Sequence, residues 1–349
     1  MYTLRGDRTR ATAARPHIDA VVLSSRLSYR HQHLARLSLV HYSWTPVAQA
    51  LLFSSLYFDV RDPRGDIDAG EENERWRSRL AGLRMRVEKH KDVTELQVEL
   101  VTSRRRGVPP WEIGFLLPAF PRLSSLSIIR HGSPQILPPT FNPDLFSSAR
   151  NLTRLVLGRI LLPRWFPDDS FPTLKTLIRT CTSIGSLPHG RIPPDRLFCP
   201  FPRLEAAALV GIVKLSGTTF ANAPPTLRHL LIARSHQTSH RGDDTDAIVA
   251  LLASLPTPPI SLTAHATSAS IGIEGVAAAL SSNRLPAQLS CIRRLVLPPA
   301  PELGPYASHL KVAAFRTLQR ECARRGIKVR HWTEEEGRNW RVEEWEPEE

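Results

Sequence analysis

Hydrophobic positions recur along this chain in one repeated phrase. Phe120–Ile129 reads FPRLSSLSII, with apolar side chains at Leu123, Leu126 and Ile128. The frame, apolar at its first, fourth and sixth positions, returns in Leu152–Leu157 (LTRLVL), Phe201–Leu209 (FPRLEAAAL), Leu227–Ile232 (LRHLLI) and Ile292–Leu297 (IRRLVL), and Phe171–Ile178 (FPTLKTLI) supplies its first and fourth positions. Val93–Val98 (VTELQV) fits it as well, with Val93 as a weak first position. An L-x-x-L-x-L pattern places a short strand whose alternate side chains point inward.

The fourth positions are Leu96, Leu126, Leu155, Leu177, Ala207, Leu230 and Leu295, 22 to 30 residues apart until a last gap of 65. That gap holds one more unit, with its strand at Pro259–Ala264 near Leu262. Leucine-rich repeats run at roughly 20–29 residues, so these units are slightly long and uneven. The Asn or Cys that usually follows three residues after position six is replaced by His131, Ile160, Thr182, Ile212, Ser235 and Ala300. Without that Asn ladder the turns need another way to satisfy their backbone groups. The expected fold is α/β: an irregular leucine-rich-repeat solenoid of parallel strands with outer helices, preceded by a small helical segment. The alternative is a set of ordinary half-buried strands in an α/β domain.

The helical segment lies in Leu34–Phe58. Leu34, Leu37 and Val40 share one face of a short helix, and Thr45 reads as an N-cap with Pro46 at the first position of a second helix. This stretch resembles the C-terminal half of an F-box, whose pattern runs L-x-x-L-x-L-V-x-x-x-W into an apolar helix; Leu34, Leu37, Leu39, Val40, Trp44, Leu51, Leu52 and Phe53 match it. The family's L-P-x-E opening is not present. With the degenerate repeats behind it, the chain resembles fungal F-box proteins with irregular leucine-rich repeats, which often close on an E-C-x-x-R-G-I-x-V phrase like Glu321–Val329. The expected layout is a basic leader over 1–28, partial F-box-like helices over 29–58, a linker over 59–74, the solenoid over 75–331 and an acidic tail over 332–349. An amphipathic helix from Trp76 to Val87 is expected to cap the first repeat, with further helices at Asp246–Leu255, Ile273–Leu280 and Pro305–Gly326.

Charge changes the picture mainly at the C-terminus. The chain carries +13, yet Trp332–Glu349 holds eight Glu and two Arg, a local −6, leaving 13 + 6 = +19 on the rest. Three tryptophans, Trp332, Trp340 and Trp345, accompany those acids. Exposed rings are costly, so one expectation is that the tail docks on a basic surface of its own chain; the other is a disordered acidic end, since no periodicity fixes a helix or strand there. The candidates are the Arg316, Arg320, Arg324 stripe of the last helix and the arginines of the strand face. Four scattered cysteines form no C-x-x-C pair and read as reduced thiols. No apolar run approaches the ~18 residues of a membrane helix.

Catalytic motifs for hydrolases, P-loops, zincins and dinucleotide folds are missing from the sequence. Asp66, Asp68 and Gly70 lack calcium-loop spacing, and the histidines at His31, His33, His236 and His240 lack a third placed ligand. The basic clusters at Arg104–Arg106 and Arg316–Arg330 have no interleaved aromatics to stack bases. The reading is therefore a non-enzymatic interaction protein without cofactor or metal, cytoplasmic or nuclear. The F-box resemblance implies that Leu34, Leu37, Val40, Trp44 and Leu51 dock the Skp adaptor of a cullin–RING ubiquitin ligase. A repeat solenoid binds through its concave strand surface, which here offers Arg122, Arg154, Lys175, Arg228 and Arg294 to an acidic protein substrate. The alternatives are a repeat scaffold with no ligase link and a basic nucleic-acid-associated protein. Membrane partners are not expected, and nucleic acid is the weakest of the three readings.

Overall fold

The fold is that of a computed structural model, which describes residue 36 and residues 42–61, 92–101, 117–131, 135–136, 146, 148–161, 166–180, 196–210, 220–233, 255–257, 259–264, 291–297, 309–333 and 345–347. Outside them lie Leu34, Leu37 and Val40, the helices expected at Trp76–Val87 and Ile273–Leu280, nearly all of Asp246–Leu255, Arg104–Arg106, the four histidines named above, and Trp340.

Among the described residues, ten strands build one open sheet. They are β1 (Ser55–Arg61), β2 (Glu95–Val101), β3 (Ser125–His131), β5 (Arg154–Gly158), β7 (Thr176–Thr180), β8 (Ala206–Val210), β9 (His229–Ala233), β10 (Ser261–Ala264), β11 (Arg294–Leu297) and β12 (Lys328–His331). All pairings are parallel, and each strand lies beside its predecessor in the chain. Two short strands, β4 (Gln135–Ile136) and β6 (Ile160–Leu161), pair separately. A one-dimensional array in chain order is what stacked repeats produce, since each unit contacts chiefly its neighbours.

The repeated leucines set the register. Leu96, Leu126, Leu155, Leu177, Ala207, Leu230, Leu262 and Leu295 stand opposite one another strand by strand. Leu126, Leu155, Leu177 and Leu230 are all 0 % exposed, in a single apolar core. A slip of one residue would turn this whole ridge outward, so burial itself locks the pairing. The sixth positions form a second inward row of Val98, Ile128, Leu157, Leu209, Ile232 and Leu297. One member breaks the expected frame: in β7 the sixth position is Arg179, buried to 2 % exposure.

Before β3, β5, β7, β8 and β9 the chain takes a turn closed by an N–H three residues on. Leu123, Leu152, Leu174, Leu204 and Leu227 donate in this way to Phe120, Ala149, Phe171, Phe201 and Pro224 at 3.0–3.3 Å. The phenylalanines of the F-P-x-L phrase point inward and meet ring to ring. Phe171 stacks on Phe201 with centroids 5.6 Å apart, and Phe166 meets Phe171 edge-on at 4.9 Å.

The missing Asn ladder has a replacement. Ahead of β2, β3, β5, β7, β8, β9 and β10 the last carbonyl accepts two N–H groups from the next unit: Ser124 and Ser125 donate to Thr94, Thr153 and Arg154 to Ser124, Lys175 and Thr176 to Thr153. The same pattern continues through Lys175, Glu205, Arg228 and Ile260. Hydroxyls reinforce it, with Thr94 Oγ1 donating to Ser54 O, Ser124 Oγ to Thr94 O, and Thr153 Oγ1 to Ser124 O at 3.0–3.2 Å. Asn151 also bridges two turns, its Nδ2 donating to Pro121 O at 2.9 Å.

At the N-terminal end, helix α1 (Thr45–Ser54) runs straight into β1. Trp44, rather than Thr45, is the N-cap residue, and no side chain caps the helix. Pro46 falls within the first turn as expected. The expected boundaries shift here: residues 55–58 are strand, not F-box-like helix, and Asp59–Arg61 belong to the sheet rather than to a linker. Tyr57, Phe58 and Val60 in SLYFDVR suit a strand better than a helix.

At the other end, helix α2 (His309–Arg325) buries Phe315, Leu318 and Cys322. It stops at Gly326, φ 69°, with Gly326 N–H on Ala323 O at 3.2 Å and Ile327 N–H on Cys322 O at 2.9 Å. This paired closure needs a left-handed residue, which glycine adopts without a Cβ penalty. Burial pushes the Cys322 thiol up to about 11, so it packs as a small apolar group.

A candidate binding face on the sheet

The face of the sheet opposite the leucine ridge carries the alternate residues of each strand. Its first row runs Glu95, Ser125, Arg154, Thr176, Ala206, His229, Ser261, Arg294, Lys328, and its second Gln97, Ser127, Val156, Ile178, Ala208, Leu231, Thr263, Val296, Arg330. The face is graded: carboxylates of Glu95 and Glu99 near one end, cations of Arg294, Lys328 and Arg330 at the other, and an apolar floor between.

That floor is closed by the tail. Trp345 is 5 % exposed and packs with Val156, Ile178, Ala206, Ala208 and Leu231, flanked by Ile129 and Val210. Two alanines on β8 sit between bulkier side chains on β7 and β9, which leaves room for an indole. Arg154 Nη1 donates to the Trp345 carbonyl at 3.2 Å. Burial pushes the Arg154 guanidinium below its ordinary pKa, while the charges of Glu346 and Glu95 oppose that shift. Further along, Trp332 packs on Val296, its backbone N–H donates to Leu297 O at 3.0 Å, and the Arg330 guanidinium lies 5.7 Å from its ring centroid.

Of the five basic residues expected on the strand face, Arg154 and Arg294 stand on it. Arg122 lies in the turn before β3 and pairs with Asp92 at 2.7 Å. Lys175 and Arg228 each fall one residue before their strand, exposed, and Lys175 reaches Glu205 at 3.0 Å. They line the edge where successive strands begin rather than the face. Among the described tail residues, Trp345 docks on the strand face at Arg154 rather than on the α2 stripe. In that stripe Arg324 is held by Glu321 at 2.7 Å.

The apolar floor was the feature missed by inspection of the arginines. Its signal is the loss of alternation in LVL, TLI, AAALV and HLLI, where both parities are apolar. Such continuous runs mark strands covered on both sides. Val156 is buried for this reason.

At the N-terminal end, Trp44 and Leu51 are half-buried beside Tyr42, which is 78 % exposed. Among the described residues no group of His, Cys, Asp and Glu is arranged to hold a metal ion. No described helix is long and apolar enough to cross a membrane. No family model matches the chain, and no curated protein matches it.

Proposed function

We propose that this chain is a non-enzymatic substrate receptor of a cullin–RING ubiquitin ligase, an F-box-like segment docking the Skp adaptor and an irregular leucine-rich-repeat solenoid holding the substrate. The observation that carries the receptor half is the open sheet face, whose apolar floor already seats a peptide segment of the chain. The adaptor half rests on the motif from Leu34 to Phe53, with the exposed Tyr42 and half-buried Trp44 beside α1. Helix α1 passes into β1 without a linker, so a partner bound there would be held at a fixed orientation to the first strand.

The test is retention of the Skp adaptor by the full chain at micromolar concentration, with Trp44→Ala beside it. Retention that falls in the variant, while circular dichroism stays unchanged, supports the reading. No retention by the wild-type chain removes the ligase link and leaves a repeat scaffold, the reading that the absent L-P-x-E opening favours.

A further inference from the structure

We infer that the trough over β8 is a recognition site for an acidic segment carrying a tryptophan, and that the chain's own Trp345-Glu346 occupies it as an internal competitor. This rests on the open face being the partner-binding surface; it does not depend on adaptor docking.

Three features of the seated tail make the argument. The indole is gripped by shape, dropping between Ile178 and Leu231 over Ala206 and Ala208. The peptide backbone is read by Arg154, whose Nη1 donates to the Trp345 carbonyl at 3.2 Å. The following side chain is read by charge, since Glu346 acts electrostatically on that same guanidinium. A ring, a carbonyl and a carboxylate are contacts that any Trp-Glu segment could offer in trans. The cations at the β11–β12 end extend the preference for acidic flanks.

Covalent attachment favours the tail. The dozen or so residues linking Trp332 to Trp345 reach roughly 40 Å when extended, whereas β11 and β7 are about 19 Å apart at the usual strand spacing. A tether of this kind gives an effective concentration on the order of millimolar, so a free partner competes at a disadvantage until the tail is lifted. Exposed ion pairs alone would fade with salt, so the ring must provide most of the grip.

The test uses a fluorescein-labelled peptide of Val342–Glu349 and its counterpart with the tryptophan replaced by alanine. Full-length Trp345→Ala chain should bind the tryptophan peptide at least tenfold more tightly than wild type does, and the alanine peptide at least tenfold more weakly. Ala208→Glu in the Trp345→Ala background should abolish that binding. Equal binding of the two peptides, or no binding by a folded Trp345→Ala chain, overturns the inference. Should Trp345→Ala fail to fold, fluorotryptophan-labelled wild-type chain replaces it. Excess tryptophan peptide should then move one buried fluorine resonance, assigned through Trp345→Phe, to its solvent position. A resonance that stays in place also overturns the inference. Adaptor retention is measured separately, so either idea can fail alone.

Discussion

Arg179 and Leu209 face one another across the β7–β8 pairing, on the inward row of the sheet. On Arg179's other side stands Leu157, so a guanidinium interrupts a run of aliphatic side chains. Burial lowers its pKa to about 9, which leaves it charged at neutral pH in a place that disfavours charge.

Because the folded-state value is lowered, the unfolded chain binds more protons from about pH 9 up to the ordinary arginine range. Stability contributed by this group therefore rises with pH through that window and is lowest below it. Arg179→Met keeps the length and removes the charge. Urea midpoints at pH 7 should show the variant more stable by roughly 1–4 kcal/mol, with the gap narrowing above pH 9. A variant less stable at pH 7 would mean that the arginine is a net stabiliser.

Gly158 lies opposite Ile129 across β3–β5, and a Cβ there would sit 3.1 Å from Ile129 Cγ2 and 3.3 Å from its Cα. Gly158→Ala should cost about 1–3 kcal/mol through crowding. Adding Ile129→Ala relieves the side-chain crowding and leaves the backbone of residue 129 just as close, so a double-mutant cycle should return part of the loss as coupling. Strict additivity would show that the strands simply move apart.

Leu177→Ala empties a fully buried position in the ridge and should destabilise by about 2–5 kcal/mol. Ser127→Ala, half-buried on the open face, should fall within about 0.5 kcal/mol of wild type. Thermal or urea unfolding of both variants checks the assignment of faces, and comparable losses at the two sites would contradict it.

Thr173 Oγ1 donates to the carbonyls of Leu152 and Arg150 in the preceding unit. Thr173→Val preserves the shape and removes the donor, so it should cost on the order of 1 kcal/mol. A neutral result would assign cohesion at these turns to the backbone ladder alone.

Periodicity by itself determined the inward ridge. Leu126 and Ile128, two residues apart, can be buried together only on one face of a strand, and Leu123 tucks inward from the turn just ahead of β3, so the units, their register and the final helix with its glycine stop were legible in the sequence. The F-P-x-L phrase marked the turns for the same local reason. Other features required the assembled sheet. Whether SLYFDVR continues a helix or begins a strand depended on a partner, β2, that lies 40 residues further on. Arg179 kept its place in the core because the apolar neighbours on both sides hold the register. Which arginines share a face with Trp345 followed from strand pairing, since Arg154 and Trp345 are 191 residues apart in the chain and meet only across the folded sheet. A repeat pattern states what each unit buries; only stacking the units decides what the opposite face has left to hold.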